Sequence, residues 1–173
     1  MVIGFLDEKS PQTTANTQRL WSCGHPTLIK NTTKFRANTF GFYSINGVST
    51  LEFHEHSKKE DVCKFLQTIR EMNPGNDIVI ILDNFRSHHA DITRQYAEKN
   101  NIKLVYLPPY SPDLNPIEYI WKSIRRIISR TFIQDLDHLK QVILDAFKKF
   151  GCSLSFAKSW IEKFLSNESC IIN

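Results

Sequence analysis

The spacing of apolar and polar residues predicts strands in the first part of the chain. The opening run MVIGFLD is apolar up to the acid Asp7, which is typical of a short strand. The alternating runs TFGFYSI and VSTLEFH are joined by Asn46-Gly47, the strongest short-range signal for a β-hairpin. Residues 8–39 are polar and predict irregular loop, with short strand pieces around LWSCG and TLIK and with Trp21 as a packing residue.

The middle of the chain alternates between helical spacing and apolar runs. Residues 59–72 carry apolar side chains at helical spacing and end at the NPG signal of residues 73–75, which indicates a helix. The run IVIIL, residues 78–82, has no polar alternation and predicts a central parallel strand covered on both faces. A helix from about residue 89 to residue 99 and the strand IKLVYL are expected next.

The last part of the chain predicts helices. A helix that starts at Pro116 would bury one apolar face, formed by Ile117, Ile120, Trp121, Ile124 and Ile128. Two more helices are expected over about residues 135–150 and 155–165, the second with Phe156, Trp160, Ile161 and Phe164 turned inward. The whole order of elements indicates an α/β fold, a mixed sheet flanked by helices.

The segment YLPPYSPDLNPIEYIWKSIRR places Glu118 on the first turn of a helix, behind a loop stiffened by prolines. Asn115 is a favourable N-cap and Pro116 a favourable first helical residue. Taken alone, this spacing favours a capping box in which Glu118 reaches back to the Asn115 amide. The alternative is a carboxylate with a function.

Two further acids, Asp7 and Asp83, end predicted strands, where open α/β sheets place their sites. A lone acid at a strand end is more commonly a turn or cap residue, so the functional interpretation depends on the set of three with Glu118. Hard divalent ions prefer carboxylate oxygen. A set without His or Cys favours Mg²⁺ or Mn²⁺ over zinc.

Five stretches carry a family resemblance: FLDEKS at Asp7, RLWSCG, TFGFYSINGVS, VIILDNFRSHHA at Asp83, and YLPPYSPDLNPIEYIWKSIR at Glu118. In these the chain resembles the DDE transposases of the mariner-type superfamily, and its bacterial and archaeal insertion-sequence branch fits best. The resemblance implies an RNase H-like fold, a single catalytic domain over residues 1–173, and a site for two Mg²⁺ or Mn²⁺ ions. It also implies cleavage and joining of DNA strands at transposon ends.

By this resemblance, Asp7, Asp83 and Glu118 are the catalytic and metal-binding acids. Asp7 would bridge both ions, and each of the others would hold one. Water would hydrolyse a phosphodiester, and the freed 3′ hydroxyl would attack target DNA at a TA dinucleotide. Two rival hypotheses are a stand-alone RNase H-like nuclease and a truncated, non-catalytic remnant that binds DNA or proteins.

The resemblance also bears on partners. Relatives usually carry helix-turn-helix domains before the catalytic core, whereas Asp7 here follows Met1 by six residues. We therefore expect that region to be absent, lost, or encoded as a separate polypeptide. A dimer on DNA is expected because two element ends must be held together.

Basic residues follow Glu118 on the same side of the predicted helix. Lys122, Arg125 and Arg126 come four, seven and eight residues later. They predict either a solvated basic face with a Glu118–Lys122 pair or a track for DNA phosphates.

Other polar residues lie near the predicted site. Arg86 and His88, in the loop after the central strand, are further candidates for DNA contact, and His88 fits a role in shaping that loop equally well. Glu8 is expected on the strand face opposite Asp7. His54 and His56 share a strand face without an evident third ligand, which favours surface histidines over a metal site.

Composition sets limits but does not reveal a function. The 173 residues suffice for one domain with a core, and no apolar run approaches the length of a membrane span. The four cysteines are dispersed, which is typical of reduced thiols in a cytosolic protein. A net charge of +4 permits DNA binding, and hence association with the nucleoid, without requiring it.

Overall fold

Five strands form a mixed sheet in the computed structural model, which describes residues 1–13, 23–24 and 31–165. The strands are β1 (Val2–Lys9), β2 (Thr39–Ser44), β3 (Thr50–Phe53), β4 (Ile78–Leu82) and β5 (Ile102–Tyr106). Their order across the sheet is β3-β2-β1-β4-β5. Strands β1, β2 and β3 pair antiparallel, whereas β4 and β5 run parallel to β1.

Helices cover both faces of this sheet. The helices are α1 (Lys59–Met72), α2 (Asp91–Lys99), α3 (Ile117–Ile128), α4 (Leu136–Gly151) and α5 (Lys158–Phe164). One buried apolar cluster joins the sheet to α1 and α2, and a second joins its other face to α3 and α4. None of the described helices combines the length and apolarity that crossing a membrane requires.

Strand β1 contributes to both clusters because successive strand residues point to opposite faces. Leu6 lies in the cluster with α1 and α2, and Phe5 lies in the cluster with α3 and α4. By the same alternation, Asp7 falls on the α3 face and Glu8 on the α2 face, as the sequence predicted for Glu8. The end of β1 therefore supplies one acid to each side of the sheet.

Gly41 of β2 determines how closely α3 approaches the sheet. It pairs with Asp7 of β1. A Cβ atom at Gly41 would lie 2.6 Å from Cζ2 of Trp121 and 3.1 Å from Cδ1 of Ile117. Because side-chain atoms do not tolerate the shorter separation, glycine is what allows α3 to pack here. The contact holds the first turn of α3 beside Asp7.

Most predicted elements are confirmed, including the hairpin, the central strand β4 and helix α1. Strand β1 runs two residues further than the apolar run because its last residue, Lys9, still pairs with Thr39. Helix α2 begins at Asp91, slightly later than expected. The strand pieces expected around LWSCG and TLIK, like Trp21, lie outside the described residues except for residues 23–24.

The end of the described chain differs from the prediction. Residues 154–156 form a separate 3₁₀ turn before α5. Trp160 and Ile161 are half-buried and pack against the second cluster, as does Phe156. Phe164 was expected to face inward, but it is 42% exposed. It is the last residue of a helix of only seven residues, so little core remains for it to cover.

Replacing Gly41 by alanine should destabilise the fold. The added methyl group would collide with Trp121 and Ile117, and overpacking of this kind costs about 1–3 kcal/mol. Urea unfolding followed by tryptophan fluorescence measures this loss. The control is Gly151→Ala at the end of α4, where the nearest atom lies 3.3 Å from the added Cβ and alanine favours the helix. Equal unfolding midpoints for wild type and Gly41→Ala would contradict the close packing.

Candidate active site

The three acids predicted from the sequence line one pocket. Asp7 lies near the carboxyl end of β1, and Asp83 directly follows β4. These strands are parallel neighbours, so their carboxyl ends meet at one edge of the sheet. Glu118, the second residue of α3, completes the set. The pocket has a volume of about 420 Å³, and much of its remaining lining comes from the proline-rich segment of residues 107–115.

The start of α3 differs from the predicted capping box. Pro116 already has helical φ and ψ values of −55° and −29°. Asn115 is extended, with φ and ψ values of −112° and 94°, and its backbone carbonyl accepts the Glu118 amide at 3.0 Å. Its side-chain Oδ1 is buried and accepts no hydrogen bond from a described residue. The predicted positions are confirmed, with Asn115 as the N-cap residue and Pro116 as the first helical residue, but the side-chain cap does not form. A 3₁₀ turn at residues 112–114 precedes Asn115, and the Asn115 amide donates to the carbonyl of Pro112, so the Glu118 carboxylate is left for another partner.

Lys9 is that partner, and the sequence analysis missed it. Its Nζ lies 2.7 Å from Oε1 of Glu118 and 3.6 Å from Oδ2 of Asp7. Lys9 comes two residues after Asp7 on β1, so both side chains share one strand face. That spacing was the available signal. The predicted Glu118–Lys122 pair does not form among the described ion pairs, because Glu118 binds Lys9.

Asp7 is the most buried of the three acids, with 5% of its surface exposed. Burial raises the pKa of its carboxyl group to about 7. The Lys9 ammonium opposes this rise in pKa, whereas the negative charges of Glu118 and Asp83 add to it. Oδ2 of Asp7 is buried and accepts no hydrogen bond from a described residue. Such an oxygen is costly to keep ionised unless a cation satisfies it.

The carboxylates of the pocket suit a hard divalent ion, because the buried Oδ2 of Asp7 lies in the same pocket as the carboxylates of Asp83 and Glu118. The acids are close enough for Glu118 and Asp83 to raise the pKa of Asp7. Among the described residues, however, no group of three His, Cys, Asp or Glu side chains is gathered tightly enough to hold one ion. Instead, the Lys9 ammonium is bound to Glu118.

Asp83 is held by a buried histidine. Nδ1 of His88 lies 3.0 Å from Oδ1 of Asp83, and Nε2 lies 3.1 Å from Oε1 of Glu8. Burial disfavours the charged ring, but the hydrogen bonds to Asp83 and Glu8 outweigh it and raise the pKa of His88 to about 9. The His88 hydrogen bond in turn lowers the pKa of Asp83. At neutral pH both ring nitrogens therefore carry protons and donate.

His88 is only 1% exposed, so of the two roles open to it from the sequence the geometry favours shaping the loop over contacting DNA. Arg86, in the same loop, is exposed. Lys122, Arg125 and Arg126 are exposed on α3 and form no ion pair within the described part of the chain. Lys122 instead lies 4.9 Å over the ring of Tyr119. These cations remain available to an anionic partner.

The histidines after β3 differ from each other. His56 is exposed, as expected for a surface histidine. His54 is not: only 11% of its side chain is exposed, and Nε2 lies 3.1 Å from Oε2 of Glu52. Its ring also packs edge-on against Phe40, with centroids 4.7 Å apart. The expectation of a surface position was wrong for His54, because an aromatic and a carboxylate enclose it.

Comparison with known proteins adds sequence relatives. The family model for DDE superfamily endonucleases matches residues 2–140, a range that contains all three acids. The Tc3 transposase of Caenorhabditis elegans is 42% identical over 69 residues, which cover 38% of this chain and 21% of that protein. The protein y4pE/y4sA of Sinorhizobium fredii is 35% identical over 71 residues, which cover 40% and 50%. The chain spans half or less of the length of these relatives.

Solved structures of the Mos1 transposase share the fold. The Mos1 paired-end complex with the left transposon end matches with a TM-score of 0.69 at 21% identity, covering 93% of this chain and 51% of that chain. The Mos1 catalytic domain with raltegravir and Mg matches with a TM-score of 0.64 at 18% identity, covering 93% and 77%. The predicted RNase H-like α/β fold is therefore confirmed.

The metal-free protein should lose stability as pH rises from about 4 to about 7 because of Asp7. Its pKa is raised on folding from 3.8 to about 7, so its contribution is fully present below 3.8 and is lost as pH rises through 7. The difference in Tm between Asp7→Asn and wild type in EDTA should grow in favour of the variant from pH 5 to pH 8. Asp77→Asn, at an exposed position, is the control. A difference that does not change with pH would contradict this electrostatic account.

Proposed function

The chain belongs to the DDE superfamily endonuclease family, and from this premise we propose that it is the catalytic core of a DNA transposase. The predicted relationship to mariner-type transposases is confirmed by the Tc3 and Tc1 matches, the latter 35% identical over 82 residues. The proposed reaction is hydrolysis of a phosphodiester at an element end, followed by attack of the freed 3′ hydroxyl on target DNA.

The observation that carries this proposal is the convergence of Asp7, Asp83 and Glu118 on one pocket at the carboxyl edge of an RNase H-like sheet. Each acid comes from a different element, so the pocket depends on the tertiary fold rather than on a local motif. Phosphoryl transfer asks the protein mainly for positioning and charge neutralisation. A carboxylate pocket beside exposed cations suits both tasks.

Divalent metal use is supported by the family and by Mos1 structures solved with Mg and with Mn. We propose two Mg²⁺ or Mn²⁺ ions, with Asp7 as the shared ligand and Asp83 and Glu118 as ligands to one ion each. When bound, the ions would activate the attacking oxygen and neutralise the leaving oxygen. The buried Oδ2 of Asp7, which accepts no hydrogen bond from a described residue, is the atom that best fits the role of shared ligand.

Lys9 has a proposed role in the same pocket. Its ammonium balances the charges of Asp7 and Glu118. Once Glu118 serves as a metal ligand, the ammonium loses that partner. Lys9 would then be available to a DNA phosphate next to the scissile bond, which is the usual contact of lysines in protein–DNA interfaces.

The proposed DNA track consists of Lys122, Arg125 and Arg126 on α3, with Arg86 after β4. All four are exposed, and the three α3 cations follow Glu118 along one helix. The DNA in the Mos1 paired-end complex supports a DNA partner here. We further propose that the chain acts as a dimer on DNA, in the cytosol at the nucleoid. Specific end recognition would come from a helix-turn-helix region encoded as a separate polypeptide.

Replacing Asp83 by asparagine should abolish Mg²⁺-dependent nicking of element-end DNA. A metal ligand is lost, so the decrease should exceed the roughly 10–100-fold that removal of an outer-shell partner costs. A gel assay with labelled duplex measures nicking, with Asp77→Asn as the control at an exposed position just before β4. Near-normal nicking by Asp83→Asn would refute the assignment.

Strand transfer separates the transposase from a stand-alone nuclease. Pre-cut element ends that carry a free 3′ hydroxyl should be joined to plasmid DNA by the wild type in the presence of Mg²⁺. Nicking without any joining would favour the nuclease. Neither nicking nor joining, with DNA binding retained, would favour the non-catalytic remnant.

Replacing Arg125 by alanine should weaken DNA binding to a similar extent for unrelated sequences. Loss of one phosphate contact reduces the slope of log K against log salt by about 0.9. Fluorescence anisotropy at several salt concentrations measures the slope. Lys59→Ala on α1, across the sheet from α3, is the matched control. An unchanged slope in Arg125→Ala would contradict the phosphate contact and favour the alternative, a solvated basic face that does not bind DNA.

A further inference from the structure

We propose that His88 is a positioning residue for the active site: together with Glu8 it fixes one oxygen of Asp83 and leaves the other oxygen for a metal ion. The inference rests on the proposed function, because it assigns Asp83 a metal. It concerns residues that the three-acid motif does not include. These contacts form the Glu8–His88–Asp83 chain.

The first observation is the asymmetry of the Asp83 carboxylate. Its Oδ1 forms an ion pair with Nδ1 of His88 at 3.0 Å and accepts a hydrogen bond from the backbone amide of Phe85 at 3.0 Å. The same Nδ1 also lies within hydrogen-bond distance, 3.2 Å, of the backbone carbonyl of Asp83. No described residue donates to Oδ2. A carboxylate whose first oxygen is held by two donors has its plane fixed, so the direction of its second oxygen is set before any ion arrives.

The second observation is the anchor at the other end of the ring. Nε2 of His88 donates to Oε1 of Glu8 at 3.1 Å. Glu8 follows Asp7 on β1 and points to the opposite face of the sheet, so the strand that carries one acid also anchors the orientation of another. With two donors engaged and 1% exposure, the imidazole of His88 has no free rotation available.

The third observation is that the backbone of the loop is fixed on both sides of the ring. The His88 amide donates to the carbonyl of Phe85 at 3.0 Å. The hydroxyl of Tyr106 on β5 donates to the His88 carbonyl at 2.8 Å, and the hydroxyl of Thr93 on α2 donates to the carbonyl of Ser87 at 2.9 Å. Hydrogen bonds from β5 and α2 thus fix the backbone of the loop, and with it the position of the His88 ring.

The Glu8–His88–Asp83 chain has the form of an outer-shell arrangement around a metal site. Outer-shell partners orient the ligand and tune its charge, and their loss costs about 10–100-fold in metal affinity. His88 touches neither substrate nor metal in this scheme and acts only through Asp83. Glu8 acts one step further away, through His88.

Two isosteric substitutions separate positioning from simple structural support. In His88→Asn the amide nitrogen takes the place of Nδ1 and can still donate to Asp83, but the side chain is too short to reach Glu8. In His88→Gln the amide nitrogen takes the place of Nε2 and can still donate to Glu8, but Asp83 loses its side-chain donor. Glu8→Ala removes the anchor, and His56→Gln at an exposed position is the control for loss of a histidine.

The experiment titrates Mn²⁺ into the full, DNA-free chain and follows free Mn²⁺ by electron paramagnetic resonance. The Tm in EDTA is recorded for each variant as an independent measure of fold. We expect His88→Gln to lose about 10–100-fold in Mn²⁺ affinity and His88→Asn to stay within about threefold of wild type. Glu8→Ala should fall between them, and His56→Gln should match wild type.

The outcomes are distinct. Equal affinities for all variants, or a loss in His88→Asn as large as or larger than that in His88→Gln, would overturn the positioning role. Losses that follow only the Tm in EDTA would also overturn it, because they would show structural support alone. If the wild type bound no Mn²⁺, the proposed function would fail and this inference would fail with it, a result clearly different from equal binding by wild type and variants.

Discussion

The close approach of α3 to the sheet at Gly41 is the constraint on which the site depends. Asp7 and Asp83 reach the same sheet edge through strand pairing alone, since β1 and β4 are parallel neighbours. Glu118 comes from a helix, and only helix-to-sheet packing can bring it there. The missing side chain at Gly41 makes room for Trp121, whose Cζ2 would lie only 2.6 Å from a Cβ at that position. A side chain at Gly41 would push α3 away from the sheet, and Glu118 with it away from Asp7 and Asp83.

The electrostatics of the pocket follow from this packing. Three carboxylates around one small volume repel each other, and burial adds to the cost for Asp7. The chain offsets the repulsion with two cations from opposite faces of the sheet. Lys9 binds Glu118 on the α3 face, and protonated His88, which also binds Glu8 on the opposite face, binds Asp83. The chain therefore supplies its own cations to offset this concentration of negative charge.

Much of this could be predicted from the sequence, and the exceptions have physical reasons. Asp83 was predictable because an uninterrupted apolar strand ends directly before it, and Glu118 because the proline-rich loop leads into a helix with one apolar face. Lys9 was missed because a long side chain two residues from an acid is common, and its partner lies 109 residues away. The enclosure of His88 was undetermined because its anchor, Glu8, is 80 residues away in sequence. Asn115 was correctly predicted as the N-cap residue, but the reciprocal capping box does not form because its amide donates to the carbonyl of Pro112 and Glu118 pairs with Lys9.

The most direct test of the account is the position of Mn²⁺ in crystals, located by its anomalous scattering. The account predicts two peaks about 3.5–4 Å apart between Asp7, Asp83 and Glu118, since paired ions in phosphoryl-transfer sites have that spacing. It also predicts that, with Mn²⁺ bound, Lys9 no longer contacts Oε1 of Glu118, the atom from which its Nζ lies 2.7 Å in this structure. Mn²⁺ bound elsewhere on the chain, with the Lys9–Glu118 pair intact and no peak between the three acids, would contradict it.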